Sequence, residues 1–130
     1  MIERPTCRWQ REFAEQEAAI AAGALSPDEA YALKAFPPAF VGAVDAALQT
    51  YEQEIGSLDS PTDTAVWAAV QRVVCTLNGV DLDFGQHIET ITREELSEYI
   101  EEALAEAGID VEALLERRGV DEVAGEWRNW

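Results

Sequence analysis

An all-α fold is predicted from three observations. Apolar residues recur at helical spacing over most of the chain, helix-start and helix-stop residues bracket those stretches, and only one segment alternates, so it has no partner for a sheet. The expected form is a single-domain helical bundle of six or seven helices, with one extended segment near residues 80–90. A chain of 130 residues matches one acidic domain, residues 1–130, long enough to bury a core without a disulfide or metal.

Each element has its own grammar. Trp9, Phe13 and Ile20 set a first helix from about Thr6 to Ala22, stopped by Gly23. Arg4, Arg8 and Arg11 follow the same spacing, a basic stripe placed to fold back onto acidic neighbours. Ser26-Pro27-Asp28-Glu29 reads as a capping box opening a short helix through Tyr31 and Leu33 to about Ala35. Pro37 and Pro38 end it and begin the next helix, whose apolar face is Phe40, Val41, Val44, Leu48, Tyr51 and Ile55 before Gly56.

The most apolar long run is Ser60 to Val80, expected to be the central helix. Ser60 would cap it, Pro61 would stand at its first position, and Val66, Val70, Val73, Leu77 and Val80 would form its stripe. The turn Asp59–Thr62 is short, which makes the two long helices antiparallel neighbours. Cys75 lies inside this helix and is expected to be a small buried hydrophobe. With Cys7 far away in sequence and no C-x-x-C pair, both cysteines read as free thiols.

Asn78-Gly79 is a turn pair and is expected to end the central helix. Beyond it Val80, Leu82, Phe84 and Ile88 alternate with Asp81, Asp83, His87 and Glu89, which predicts an extended segment with one side anchored. Ile91, Thr92, Glu95 and Leu96 then combine a capping box (Thr92, Glu95) with a hydrophobic staple (Ile91, Leu96). Leu96, Tyr99, Ile100, Ala103, Leu104 and Ala107 make the buried stripe of the helix that follows, closed by Gly108. Asp110 caps a short helix ending at Arg117-Arg118-Gly119. Asp121 can start a last turn or two in which Val123, Trp127 and Trp130 share a face, packed within the chain.

Charge excludes several functions. The net charge is -17, from 9 basic and 26 acidic side chains, which repels nucleic-acid phosphates and anionic lipid headgroups. Direct nucleic-acid and membrane binding are therefore rejected. The start MIERPTCRWQRE has no apolar leader, so a cytoplasmic protein is expected. No phosphate-binding glycine loop, Ser-His or Cys-His arrangement, or cofactor fingerprint is present, so an enzyme is the weaker reading and no cofactor is expected.

Two candidate sites remain. Asp81, Asp83, His87 and Glu89 would share one side of the extended segment, the single place where metal or acid/base ligands converge in the sequence. Read as a calcium loop it fails, because Gly85 falls at position five and Thr92 stands where a bidentate glutamate belongs. A transition-metal site has no second His or Cys behind it, and no tight metal binding is expected. The other candidate is the helix after Thr92, where Glu94, Glu98, Glu101, Glu102 and Glu106 crowd one face with like charges at i,i+4. Together with Asp81 and Asp83 these glutamates are the expected partner-binding surface, against the alternative of a solvated face serving solubility.

The functional expectation is a small acidic protein-binding module, an inhibitor or immunity-type protein that neutralises a basic partner such as a nuclease or another nucleic-acid-binding protein. The alternatives are a metal-dependent hydrolase using Asp81, Asp83, His87 and Glu89, and a structural or accessory subunit. Oligomeric state is not legible.

Overall fold

The computed structural model describes residues 2–130. Among these residues six α-helices follow one another, α1 (Pro5–Ala21), α2 (Tyr31–Ala35), α3 (Pro38–Gly56), α4 (Asp63–Asp83), α5 (Thr90–Glu106) and α6 (Val111–Arg118), with a single 3-10 turn over Pro27–Glu29. Among the described residues there is no strand, and the all-α bundle is the fold.

Proline positions explain three of the starts. Pro5 and Pro38 stand in the first turns of α1 and α3, where a missing N–H removes no helical hydrogen bond. Pro27 does the same for the 3-10 turn, although Ser26 makes no side-chain cap there. The central helix α4 starts later than the Ser60-Pro61 pair suggests. Thr62 is its cap, with Oγ1 accepting from the Ala65 N–H at 3.1 Å. At the other end Asp110 caps α6 as expected, accepting from the Ala113 N–H at 3.1 Å.

Helices α3 and α4 form the centre. Phe40 at the start of α3 meets Phe84 just past α4, with ring centroids 5.6 Å apart, while Glu54 near the end of α3 binds Arg72 in the middle of α4. The two therefore run antiparallel. Their shared face is Phe40, Val44, Leu48 and Tyr51 against Val66, Val70, Val73 and Leu77, all buried. Helix α5 closes a second side with Leu96, Ile100 and Leu104, each 0% exposed. The Tyr51 hydroxyl donates to the Ile100 carbonyl at 2.9 Å, tying α3 to α5, and burial pushes its pKa upward. Trp9 brings α1 into the same core and Leu114 brings α6.

The region after Leu77 differs from the sequence expectation. Asn78-Gly79 does not end the helix, which continues to Asp83. The Asn78 side chain turns outward to the chain terminus instead: its amide N–H donates to the Trp127 carbonyl at 2.8 Å and its oxygen accepts from the Asn129 N–H at 2.9 Å. Satisfied in this way, Asn78 does not compete for its own backbone. The non-helical segment shrinks to 84–89, turned by Gly85 (φ 71) and Gln86 (φ 60). Alternation over Val80–Ile88 has no structural meaning, since Leu82 is 72% exposed and Asp81 is buried.

Two further corrections concern caps and exposure. Helix α5 begins at Thr90 with Glu89 as its cap, and Thr92 acts as the third helical residue, its Oγ1 accepting from the Glu89 N–H at 2.9 Å. Ile91 is exposed, so it makes no staple with Leu96. Cys75 is exposed as well, Cys7 is half-buried, and both are free thiols.

The last residues form an irregular segment in place of the expected helical turns, and it packs closely. Val123, Ala124 and Trp130 are buried in the core. Arg118 lies over both Trp67 and Trp127, at 4.6 and 5.3 Å from the ring centroids, and pairs with Glu126 at 2.7 Å. Among the described residues no helix is long and apolar enough to cross a membrane.

Candidate partner-binding surface

Basic side chains are mostly committed inside the chain. Arg4 donates to Asp45 and to Glu52 at 2.8 Å each, and the Thr6 hydroxyl donates to the same Asp45 at 2.6 Å. Burial opposes the Arg4 charge, yet these carboxylates outweigh it and hold its pKa up. Arg8 pairs with Glu95, Arg11 with Glu3, Arg72 with Glu54, Arg117 with Asp63, and Arg128 with Glu122. With Arg118 on Glu126, seven of the nine basic residues have an intramolecular carboxylate. Of the basic stripe at the start of the chain, Arg4 meets α3 and Arg8 meets α5, while Arg11 turns back to Glu3.

The α5 glutamates are not equivalent. Glu95 faces inward, accepting from Arg8 and from the Trp9 indole N–H at 3.2 Å. Glu101 is half-buried and accepts from the Val123 N–H at 3.2 Å, which makes it a support for the C-terminal segment. Glu94, Glu98, Glu102 and Glu106 are exposed. Glu98 lies within hydrogen-bonding reach of Glu102, whose pKa is raised by partial burial and by the hydrogen bond and charge of Glu98, against a lowering pull from Arg8. Two carboxylates are thereby held side by side on an open turn.

The second candidate cluster is dispersed by the extra turn of α4. Asp81 is 5% exposed, and its Oδ1 accepts from the Ile88 N–H at 2.7 Å, so it closes the 84–89 loop from inside and drops out of the partner surface. Asp83 is exposed in the last turn of α4. His87 donates from Nε2 to the Ala35 carbonyl at 2.8 Å and packs its ring on Phe40 at 4.7 Å. Glu89 is the cap of α5. Among the described residues no three His, Cys, Asp or Glu side chains are placed to hold one metal ion.

A cleft absent from the sequence reading lies beside the glutamates. It measures about 460 Å³ and is formed by the start of α1 and the ends of α3 and α5, with Ile2, Cys7, Ile55, Tyr99, Ala103 and Ala107 as its apolar walls. Among the described residues, Arg4, Glu3, Glu52 and Glu106 supply its charged groups. Glu3 and Tyr99 also line a small polar notch with Arg8, Glu95, Glu98 and Glu102, so cleft and notch adjoin. A wider groove between α3 and α4, lined by Ala43, Ala47, Thr50 and Cys75, has Glu54 and Arg72 as its charged groups, and these pair with each other. It offers no net charge to a ligand. No local motif marks the cleft, because its walls come from three helix ends distant in sequence; only the Arg4, Arg8, Arg11 spacing hinted at what α1 meets.

Fold and surface together define an acidic α-helical bundle with a carboxylate-rimmed apolar cleft. No family model, curated protein or solved structure matches the chain.

The carboxylates predict an unusual pH profile. Glu102, its pKa raised, binds its proton more tightly in the folded chain, so acidification through its range favours folding. Glu3, Asp63 and Glu126 have pKa values lowered by hydrogen bonds from Arg11, Arg117 and Arg118. Their stabilisation is present above the ordinary carboxylate range and lost as pH falls through their lowered values. As pH falls from 7 into the carboxylate range, the Tm is therefore expected to rise first as Glu102 takes up its proton, and then to fall as Glu3, Asp63 and Glu126 lose their charge. Glu102→Gln should raise the Tm at pH 7 and shrink the rise on acidification. A Tm that declines steadily from pH 7 downward would contradict this assignment.

Proposed function

We propose that this protein is a small acidic protein-binding module of the cytoplasm, an inhibitor or immunity-type protein that covers the basic working surface of a partner such as a nuclease or nucleic-acid-binding protein. The observation that carries the reading is the exposed Glu98–Glu102 pair. Like charges at i,i+4 oppose helix stability by roughly a few tenths of a kcal/mol each, and Glu94/Glu98, Glu98/Glu102 and Glu102/Glu106 repeat that arrangement along one face. An arginine or lysine from outside turns the same repulsion into attraction. Arg4, Arg72, Arg117 and Arg118 are engaged elsewhere, and Arg8, at the edge of this face, is paired with Glu95, which leaves Glu98 and Glu102 open to a cation from a partner.

The test is capture from the native cell lysate by wild type and by a Glu94→Gln/Glu98→Gln/Glu102→Gln variant. Glu101 is left in place because it holds Val123. Captured proteins should be enriched in basic ones, association should slow as ionic strength passes about 0.15 M, and the variant should lose the enrichment while remaining folded. Equal capture by the variant would remove this face as the binding site.

A further inference from the structure

Neighbouring stripes on α5 meet different chemistry. Tyr99, Ala103 and Ala107, at steps of four, form one wall of the apolar cleft. Glu98, Glu102 and Glu106 form the adjacent stripe, offset by roughly 100° around the helix axis. Glu3 and Tyr99 belong to both the cleft and the Glu98–Glu102 notch, so an occupant of one lies against the other.

The cleft's charge selects the occupant. An anion is disfavoured, because the one guanidinium among the described lining residues, Arg4, is already held by Asp45 and Glu52. A volume of 460 Å³ lies in the range of ligand sites and takes bulky apolar side chains. Resting on the function proposed above, we infer that the partner docks an amphipathic basic helix, seating apolar side chains in the cleft between α1, α3 and α5 and laying an arginine or lysine across Glu98 and Glu102. Apolar burial supplies affinity in this arrangement, and the carboxylates fix register and speed encounter. A solely electrostatic surface would instead accept any polycation.

The probe is a fluorescent peptide of about 16 residues, long enough to form a helix, with leucine on one face and arginine on the other. A matched peptide replaces the leucines by serine. Wild type should bind the leucine peptide at least about tenfold more tightly than the serine peptide. Ala107→Trp fills the cleft from an exposed position at the end of α5 and should weaken the leucine peptide by about tenfold or more. Glu98→Gln/Glu102→Gln should weaken both peptides and flatten their salt dependence.

A separate arm avoids mutating the cleft. In a Cys75→Ser protein, bound leucine peptide should slow alkylation of Cys7, which lines the cleft, and the serine peptide should not. Equal binding of the two peptides, undiminished binding by Ala107→Trp, or unprotected Cys7 would overturn the cleft as the apolar seat. Loss of binding in the glutamine variant alongside any of these would leave the charge-based function standing. Failure of wild type to bind either peptide at physiological salt would overturn both.

Discussion

Ile100→Ala should lower the free energy of unfolding by about 2–5 kcal/mol, read by urea denaturation with tryptophan fluorescence. Ile100 is 0% exposed and sits between Leu96 and Leu104 on the buried stripe of α5. Truncation would leave a cavity in the close-packed core, which can collapse only in part. Its backbone carbonyl already holds the Tyr51 hydroxyl, so a shift of α5 to fill the space would stretch that bond. Leu82→Ala is the matched control. Leu82 is 72% exposed, and its truncation should change stability by no more than about 0.5 kcal/mol. If Ile100→Ala proved as mild as Leu82→Ala, the core described for α5 would be wrong.

That contrast also marks where the sequence is legible. The Ile100 stripe repeats over about three turns and ends at the stop residue Gly108, so periodicity alone fixes the buried face even though Thr92, the expected start residue, lies inside the helix. Leu82 belongs to a short alternation that arises by chance at the end of a helix. Asn78-Gly79 carries turn propensity, but the partners that settle Asn78 are Trp127 and Asn129, about 50 residues onward, and no local rule can see them. Caps fail for a related reason: Ser60 and Thr62 are both competent, and Glu89 is an uncommon cap that the better residue Thr92 supports from inside the helix. The exposed glutamates are visible as a row from their spacing. Which of them is diverted is not, since Glu101 is claimed by the Val123 N–H from another element. The cleft is the extreme case, being built wholly from tertiary packing.

Trp9→Ala is expected to be at least as damaging, at about 3–5 kcal/mol. Trp9 is 1% exposed and lies nearly parallel to Phe36, with centroids 5.2 Å apart, and near Phe40 at 6.2 Å. These offset rings join α1 to the start of α3, and such pairs contribute beyond the area they bury. The indole N–H adds a bond to Glu95 on α5, so one side chain links three elements. Trp9→Phe separates the two contributions: it keeps an aromatic ring in the stack and deletes the N–H donor, and should cost about 1–2 kcal/mol. A functional consequence follows from position. Helix α1 carries Cys7 and Arg8, and Arg4 immediately precedes it, so undocking this helix dismantles the walls of both cleft and notch. Trp9→Ala should therefore lose binding of the leucine–arginine peptide at a temperature where α3, α4 and α5 still give a helical circular dichroism signal. Trp9→Phe should retain it. Peptide binding that survives in Trp9→Ala, at full helical signal, would mean that α1 does not shape the surface.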